Sequence, residues 1–231
     1  MKPGVEALRA LPLLAACAAE TLAKLNETAD LARVGPDDRL SAEDEVLTEV
    51  NFLAVGQVAA LRTLPSGRQA VVDVHLPVRP LLLATALLGR PAPVAMQAIT
   101  AARLIVVPLD ALQAAMQADA ATGRVLLDHI TSEADALGRE ICGLKLRSSA
   151  QRLALFLLDL ADDAEVGPAR FVLPFEKRLL AARVGCSQEN LSRAFATLRR
   201  IGVESQRGVV IIRSLPQLRA FVDGALTPMA T

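Results

Sequence analysis

Hydrophobic positions run at two different periods along this chain. Between residues 46 and 107 they fall in short stretches rich in small and β-branched residues, "VNFLAVGQVAALRTL" and "RQAVVDVHL", with Pro65-Ser66-Gly67 between them. Runs of this kind bounded by Pro and Gly read as strands joined by a turn. "ITAARLIVVPL" reads as a further strand, stopped by Pro108. Strands this close together predict a compact β-roll or barrel. From Asp110 the period becomes helical. Leu127, Ile130, Ala134, Leu137, Ile141 and Leu144 are spaced 3, 4, 3, 4, 3, an a/d seam of about two and a half heptads. Asp128, Glu133, Asp135, Arg139 and Glu140 lie off that seam. The pattern suits either a core-facing helix of a monomer or a dimer seam; its length and otherwise polar surface favour the dimer.

"RSSAQRLALFLLDLADDA" starts a new helix, with Ser148 or Ser149 as its cap. After "EVGPAR", helical periodicity resumes at "FEKRLLAARVG" and again through "QENLSRAFATLRR". "IGVESQRGVVIIRSL" then reads as two short strands around a turn at Gln206-Arg207-Gly208. The order helix, tight turn, helix, hairpin predicts a winged helix-turn-helix. Its parts are in place: a small residue where the helices cross (Ala181 or Ala182), a glycine in the turn (Gly185) and a cap on the second helix (Ser187). Leu191, Ala194, Phe195 and Leu198 form the inward stripe of that second helix, and Glu189, Ser192 and Arg193 lie opposite. In such motifs the second helix puts its leading exposed residues against base edges in the major groove. Arg reads guanine through O6 and N7, Glu accepts from the cytosine amino group, and Ser is adaptable. The alternative is a solvated face on which Glu189 and Arg193 form only an i, i+4 ion pair, worth a few tenths of a kcal/mol.

Charge decides between these. The 231 residues carry 25 basic and 25 acidic side chains and no net charge. Residues 170–213, however, hold nine Arg or Lys against three Glu, an excess of six positive charges. A phosphate-binding surface requires such a local excess, so DNA is the expected partner. The candidate DNA contacts are Ser187, Gln188, Glu189, Ser192, Arg193 and Arg199, with Arg207 at the wing tip.

Other chemistries find little support. Cys17, Cys142 and Cys186 are far apart and form no CxxC pair, which argues against a zinc ribbon, a cysteine-ligated cluster or a disulfide framework. A reduced cytoplasm fits this usage. "LAAC" at 14–17 matches a lipoprotein cleavage pattern, but the preceding apolar run is short, interrupted by Pro12 and preceded by Glu6. An amphipathic opening helix is expected instead. "RPLLLATALLG" at 79–89 is too short to span a bilayer, so no membrane partner is expected. There is no Gly-rich phosphate loop, and two histidines without a nucleophile partner do not make a hydrolytic site. The chain is not expected to be an enzyme.

"LPFEKRLLAARVGCSQENLSRAFATLRRIGV" and "LKLRSSAQRLALFLL" give a resemblance that extends over nearly the whole chain. The sequence resembles the Crp/Fnr superfamily of bacterial transcription regulators, closest in tone to the FtrB, Dnr and NnrR kind. E-x-x-S-R at Glu189, Ser192 and Arg193 is similar to the Fnr-type reading set, where the cyclic-AMP receptor type has Gly in place of Ser192. The resemblance implies an α+β chain of three parts. A β-roll sensor domain of cyclic-nucleotide-binding type would occupy residues 1–118, a long dimerisation helix 119–146, and a winged helix-turn-helix 147–231. It further implies a cytoplasmic homodimer reading an inverted repeat of TTGAT-like half-sites, with RNA polymerase as a partner. Whether transcription is raised or lowered is left open.

In that family the β-roll commonly holds a cyclic nucleotide, with a Gly-Glu pair on the ribose. The corresponding stretch here, "HLPVRPLLLATALLGRPAPVAMQAIT", contains no Glu, and Asp73 is the sole carboxylate between Glu49 and Asp110. A cyclic nucleotide, cyclic AMP or cyclic GMP, is therefore not the expected effector. The Fnr cluster is also not expected, because its N-terminal cysteine group is missing. What remains is an apolar cassette suited to haem or an apolar effector, as in haem-dependent nitric oxide or redox sensors that resemble it. His75, beside the cassette, is the candidate haem ligand; His129 is expected at an outward heptad position. A rival of another class is a small-molecule binding module whose C-terminal domain makes only protein contacts.

Overall fold

The computed structural model describes residues 1–67, 69–161, 168–174 and 176–225. Two compact units divide the chain, Met1–Asp135 and Ala136–Thr231.

The first unit opens with two helices, α1 (Val5–Arg9) and α2 (Ala19–Thr28), rather than one. Strands β1 (Asp30–Val34), β2 (Arg39–Ser41), β3 (Glu49–Val55), β4 (Val58–Thr63), β5 (Gln69–His75) and β6 (Arg79–Leu81) follow. A one-turn helix α3 (Leu83–Leu87) precedes β7 (Ala95–Ala98) and β8 (Ala102–Pro108). Two four-stranded antiparallel sheets result, ordered β1-β8-β3-β6 and β2-β7-β4-β5. The expected β-roll is present.

The period-2 rule sorts the side chains of β3 and β8 onto two faces. Leu53 and Leu104 join Val58, Ala60 and Met96 in a core that draws on both sheets. Phe52, Ile105 and Val107 join Leu8, Leu22, Leu112 and Leu126 in a second core formed with the helices. The first sheet is therefore covered on both faces, which explains why "NFL" and "LIVV" read as continuous apolar runs rather than alternating ones.

Helix α4 (Leu109–Ala118) packs on α2, and α5 (Ala120–Leu146) follows. Asp119 starts α5. Its Oδ1 accepts from Ala121 N at 2.9 Å and its Oδ2 from Thr122 Oγ1 at 3.0 Å. These bonds, that from the Thr122 hydroxyl foremost, hold the carboxyl below the usual carboxylate range. A depressed carboxyl stabilises the fold above its unfolded pKa and stops doing so as pH falls through its folded pKa. Asp119→Ala should therefore lower Tm at pH 7, and the deficit should shrink near pH 3. Thermal unfolding of both proteins at the two pH values checks this; an equal deficit at both would contradict it.

The second unit takes up α5 from Ala136 and continues with α6 (Ser149–Leu160), β9 (Ala169–Val172), α7 (Lys177–Val184) and α8 (Gln188–Arg199). Strands β10 (Val203–Gln206) and β11 (Val209–Ile212) and helix α9 (Leu215–Val222) complete it. Ser148 caps α6 in a capping box with Gln151. The expected extension of α6 to Ala164, and the first half of the "EVGPAR" connection, lie outside the described residues. Leu153, Ala154 and Leu157 of α6, Leu180 of α7, Leu191 and Leu198 of α8, and Leu218 of α9 are all buried.

Candidate nucleic-acid interface

Helix α7 ends on Gly185, whose φ of 70° is left-handed. Its N–H donates to Ala182 O at 3.0 Å, and Cys186 N donates to Ala181 O at 2.9 Å, the doubled closure of a Schellman end. A Cβ at position 185 would also come within 2.6 Å of Leu144 Cδ2. Ser187 starts α8, its hydroxyl accepting from Asn190 N at 3.2 Å. Leu191, Ala194 and Leu198 are buried, with Phe195 partly so. Ser187, Gln188, Glu189, Ser192, Arg193 and Arg199 are all exposed. The sequence expectation for inward and outward faces of this helix therefore agrees with its burial.

Arg193 Nη2 donates to Glu189 Oε1 at 2.5 Å, with both side chains about three-quarters exposed. The ion pair weighed against DNA reading is thus present. A solvated pair of this kind is worth well under 1 kcal/mol, so it orients the two groups without committing them. Ser192 Oγ donates to Gln188 O at 3.0 Å. On the hairpin, Val203–Gln206 pairs with Val209–Ile212, and the two-residue loop has φ of 49° at Arg207 and 81° at Gly208. Positive φ at both positions is the type I′ signature of a tight hairpin. It leaves Arg207 exposed at the tip. A third strand, β9, which the sequence pattern does not predict, pairs with β11.

The seam positions separate into two kinds. Leu127 (63% exposed), Leu137 (60%), Ile141 (52%) and Leu144 (46%) are large apolar groups left open, and Ala134 is exposed with them. Ile130 is partly buried and packs against the helix-layer core. Exposed Leu and Ile side chains repeated along one helix mark an unpartnered apolar face.

In the β-roll, His75 closes β5, the outer strand of its sheet, with Nδ1 3.7 Å from Asp73 Oδ2. Leu81, Leu83 and Ala86 of the apolar cassette are core residues. A cleft of about 220 Å3 that includes open solvent is lined by Ser41, Glu49, Asn51, Leu81, Leu82 and Met96 among others; His75 is not among them. His129 is not outward as expected. It is about a quarter exposed, with Nε2 3.5 Å from Glu133 Oε1, and Glu133 also accepts from Arg79 Nη2 at 2.8 Å.

Residues 151–221 match the Crp-like helix-turn-helix domain family. Among solved structures, the chain is similar to a Ruegeria pomeroyi protein to which cyclic nucleotide binding is ascribed. That match is 27% identical over 94% of this chain and 98% of the other, with a TM-score of 0.67. FixK2 from Bradyrhizobium japonicum is similar at 23% identity, 88% and 100% coverage and a TM-score of 0.72. A CooA mutant from Carboxydothermus hydrogenoformans is similar at 15% identity, 84% and 88% coverage and a TM-score of 0.68. The last two, at their low identity, speak to the fold alone. No curated protein matches the chain.

The architecture is thus the Crp/Fnr-like one, an N-terminal β-sheet domain of cyclic-nucleotide-binding type and a C-terminal helix-turn-helix. Residues 151–221 therefore carry a helix-turn-helix domain of the Crp-like DNA-binding kind, and the chain as a whole is similar in fold to proteins of the Crp/Fnr superfamily. Among the described residues no helix is long and apolar enough to cross a membrane.

Proposed function

We propose that this chain is a cytoplasmic homodimer that reads an inverted repeat through α8 and answers to an effector other than cyclic AMP. The observation that carries the reading is the outward face of α8. Glu189, Ser192 and Arg193 stand exposed on a helix anchored by Leu191, Ala194 and Leu198, within a segment that has six excess positive charges. By resemblance to Fnr-type readers, the half-site is TTGAT-like and Arg193 takes its guanine. Ser187 and Gln188 lie at the leading end of α8, where a helix N-terminus favours phosphate. Arg199 and Arg207 meet the backbone on either side. The open face at Leu127, Ala134, Leu137, Ile141 and Leu144 supports two-fold pairing along α5. RNA polymerase is the partner that the resemblance implies.

For the effector, the similar Ruegeria pomeroyi protein has cyclic nucleotide binding ascribed to it. That function does not carry over readily. Arg79–Leu81 and α3 offer no carboxylate for ribose hydroxyls, and Leu81, at the end of β6, is buried.

Salt separates this reading from a module that makes only protein contacts. Phosphate contacts release counterions, so the log of DNA affinity should fall linearly with log salt, at about 0.9 per phosphate neutralised. Titration of the full-length protein against a duplex at 50–200 mM salt should show an affinity loss on the order of a thousandfold or more. A flat dependence, or no DNA binding at low salt, would overturn the reading.

A further inference from the structure

One arginine closes the ends of two helices at once. Arg152 lies in the first turn of α6 and is half-buried. Its Nη1 donates to Arg147 O at 2.7 Å, its Nε to Val184 O at 2.9 Å and its Nη2 to Gly185 O at 3.0 Å. Arg147 follows the last residue of α5, and its N–H donates to Gly143 O at 3.0 Å. Val184 and Gly185 are the last residue and the C-cap of α7. The three carbonyls belong to helix ends, where backbone acceptors have no partner within the helix. A cation is also favoured there by the negative end of each helix dipole. Two further contacts join the same parts. Leu144 meets the Gly185 position, and Arg183 Nη1 donates to Glu140 Oε1 at 3.2 Å.

We propose that Arg152 is a positioning residue that locks the turn before α8 to the end of α5 and thereby sets the half-site spacing the dimer accepts. This rests on the reading of α5 as the dimer seam and α8 as the reading helix. In a two-fold dimer the distance between the two α8 helices is fixed by how each is held to the seam. Half-sites on DNA lie at fixed steps along the duplex, so that distance becomes a spacing preference. A guanidinium can make these three bonds because its donors form a rigid planar fork. A lysine carries the same charge but no such fork. Bonds from a charged donor are each worth about tenfold in an equilibrium, so losing them lets the turn shift against α5.

The test uses full-length wild type, Arg152→Lys, Arg152→Gln and the surface variant Glu140→Gln. Each is titrated with duplexes carrying two TTGAT-like half-sites, their separation varied one base pair at a time. Unfolding temperature, dimer mass and low-salt binding to a duplex without half-sites are measured beside it. Wild type should prefer one spacing sharply. In Arg152→Lys and Arg152→Gln the preference over the neighbouring spacings should fall by about tenfold, with dimer mass and non-specific binding retained. Glu140→Gln should broaden it less, because its ion pair is more exposed. A purely structural arginine would lower Tm and leave the spacing ratio unchanged. Wild-type sharpness retained by Arg152→Lys and Glu140→Gln overturns the proposal. A wild type that binds no inverted repeat at any spacing instead overturns the reading of α8 and α5.

Discussion

Leu137→Glu should dissociate the dimer and abolish operator binding together. Leu137 is 60% exposed on a helix whose next seam residues, Ile141 and Leu144, are also open. A carboxylate placed there would be buried without a partner, and two-fold symmetry would bury it twice. The cost is several kcal/mol, enough to outweigh the association energy of a modest seam. The protomer should keep its fold, because Leu137 belongs to no buried core. Sedimentation should show a monomer, and affinity for an inverted repeat should collapse, since each protomer alone holds one half-site. An intact Leu137→Glu dimer would remove α5 from the interface.

The second large effect separates two arginines within one domain. Arg193 is on the outward face of α8, held near Glu189 by an exposed pair. Arg207 is at the wing tip, four residues past the start of β10. If Arg193 reads guanine, Arg193→Ala should cost about 1–3 kcal/mol per half-site and relax preference at that base pair. If Arg207 meets phosphate, Arg207→Ala should weaken all sequences alike and shallow the salt slope by about one unit. Ser192→Gly should shift preference at the outer base pairs and spare the guanine. A binding series over all single-base variants of a selected site tests the three variants together. Uniform loss in Arg193→Ala with altered base preference in Arg207→Ala would reverse the two roles.

Much of this was readable from the chain because the signals are local. Gly185 and Ser187 bracket a turn, and Leu191, Ala194 and Leu198 fix the face of the helix that follows. The seam spacing along α5 is likewise a property of one continuous segment. Other parts have no local signature. β1 and β2 have burial patterns without alternation, and the pairing of β2 with β7 shifts register between Arg39 and Ser41. β9 is four residues long and owes its strand to β11. His129 has heptad spacing that points outward, yet Glu133 one turn on and Arg79 on β6 draw that face inward. Helix α9 does carry local start signals, with Ser214 as its cap and Pro216 in its first turn. Arg152 was not legible. Val184 and Gly185 are 32 and 33 residues away, and any residue type supplies a backbone carbonyl, so its partners leave no mark on the sequence.

The central claim is that two copies of α8 read two related half-sites. Selection of binding sites by the full-length protein from a pool of random duplexes tests it most directly. The account predicts enrichment of an inverted repeat of TTGAT-like half-sites, with centres about one helical turn apart. Enrichment of a single unrepeated element, or of no sequence at a salt concentration where DNA is bound, would contradict it.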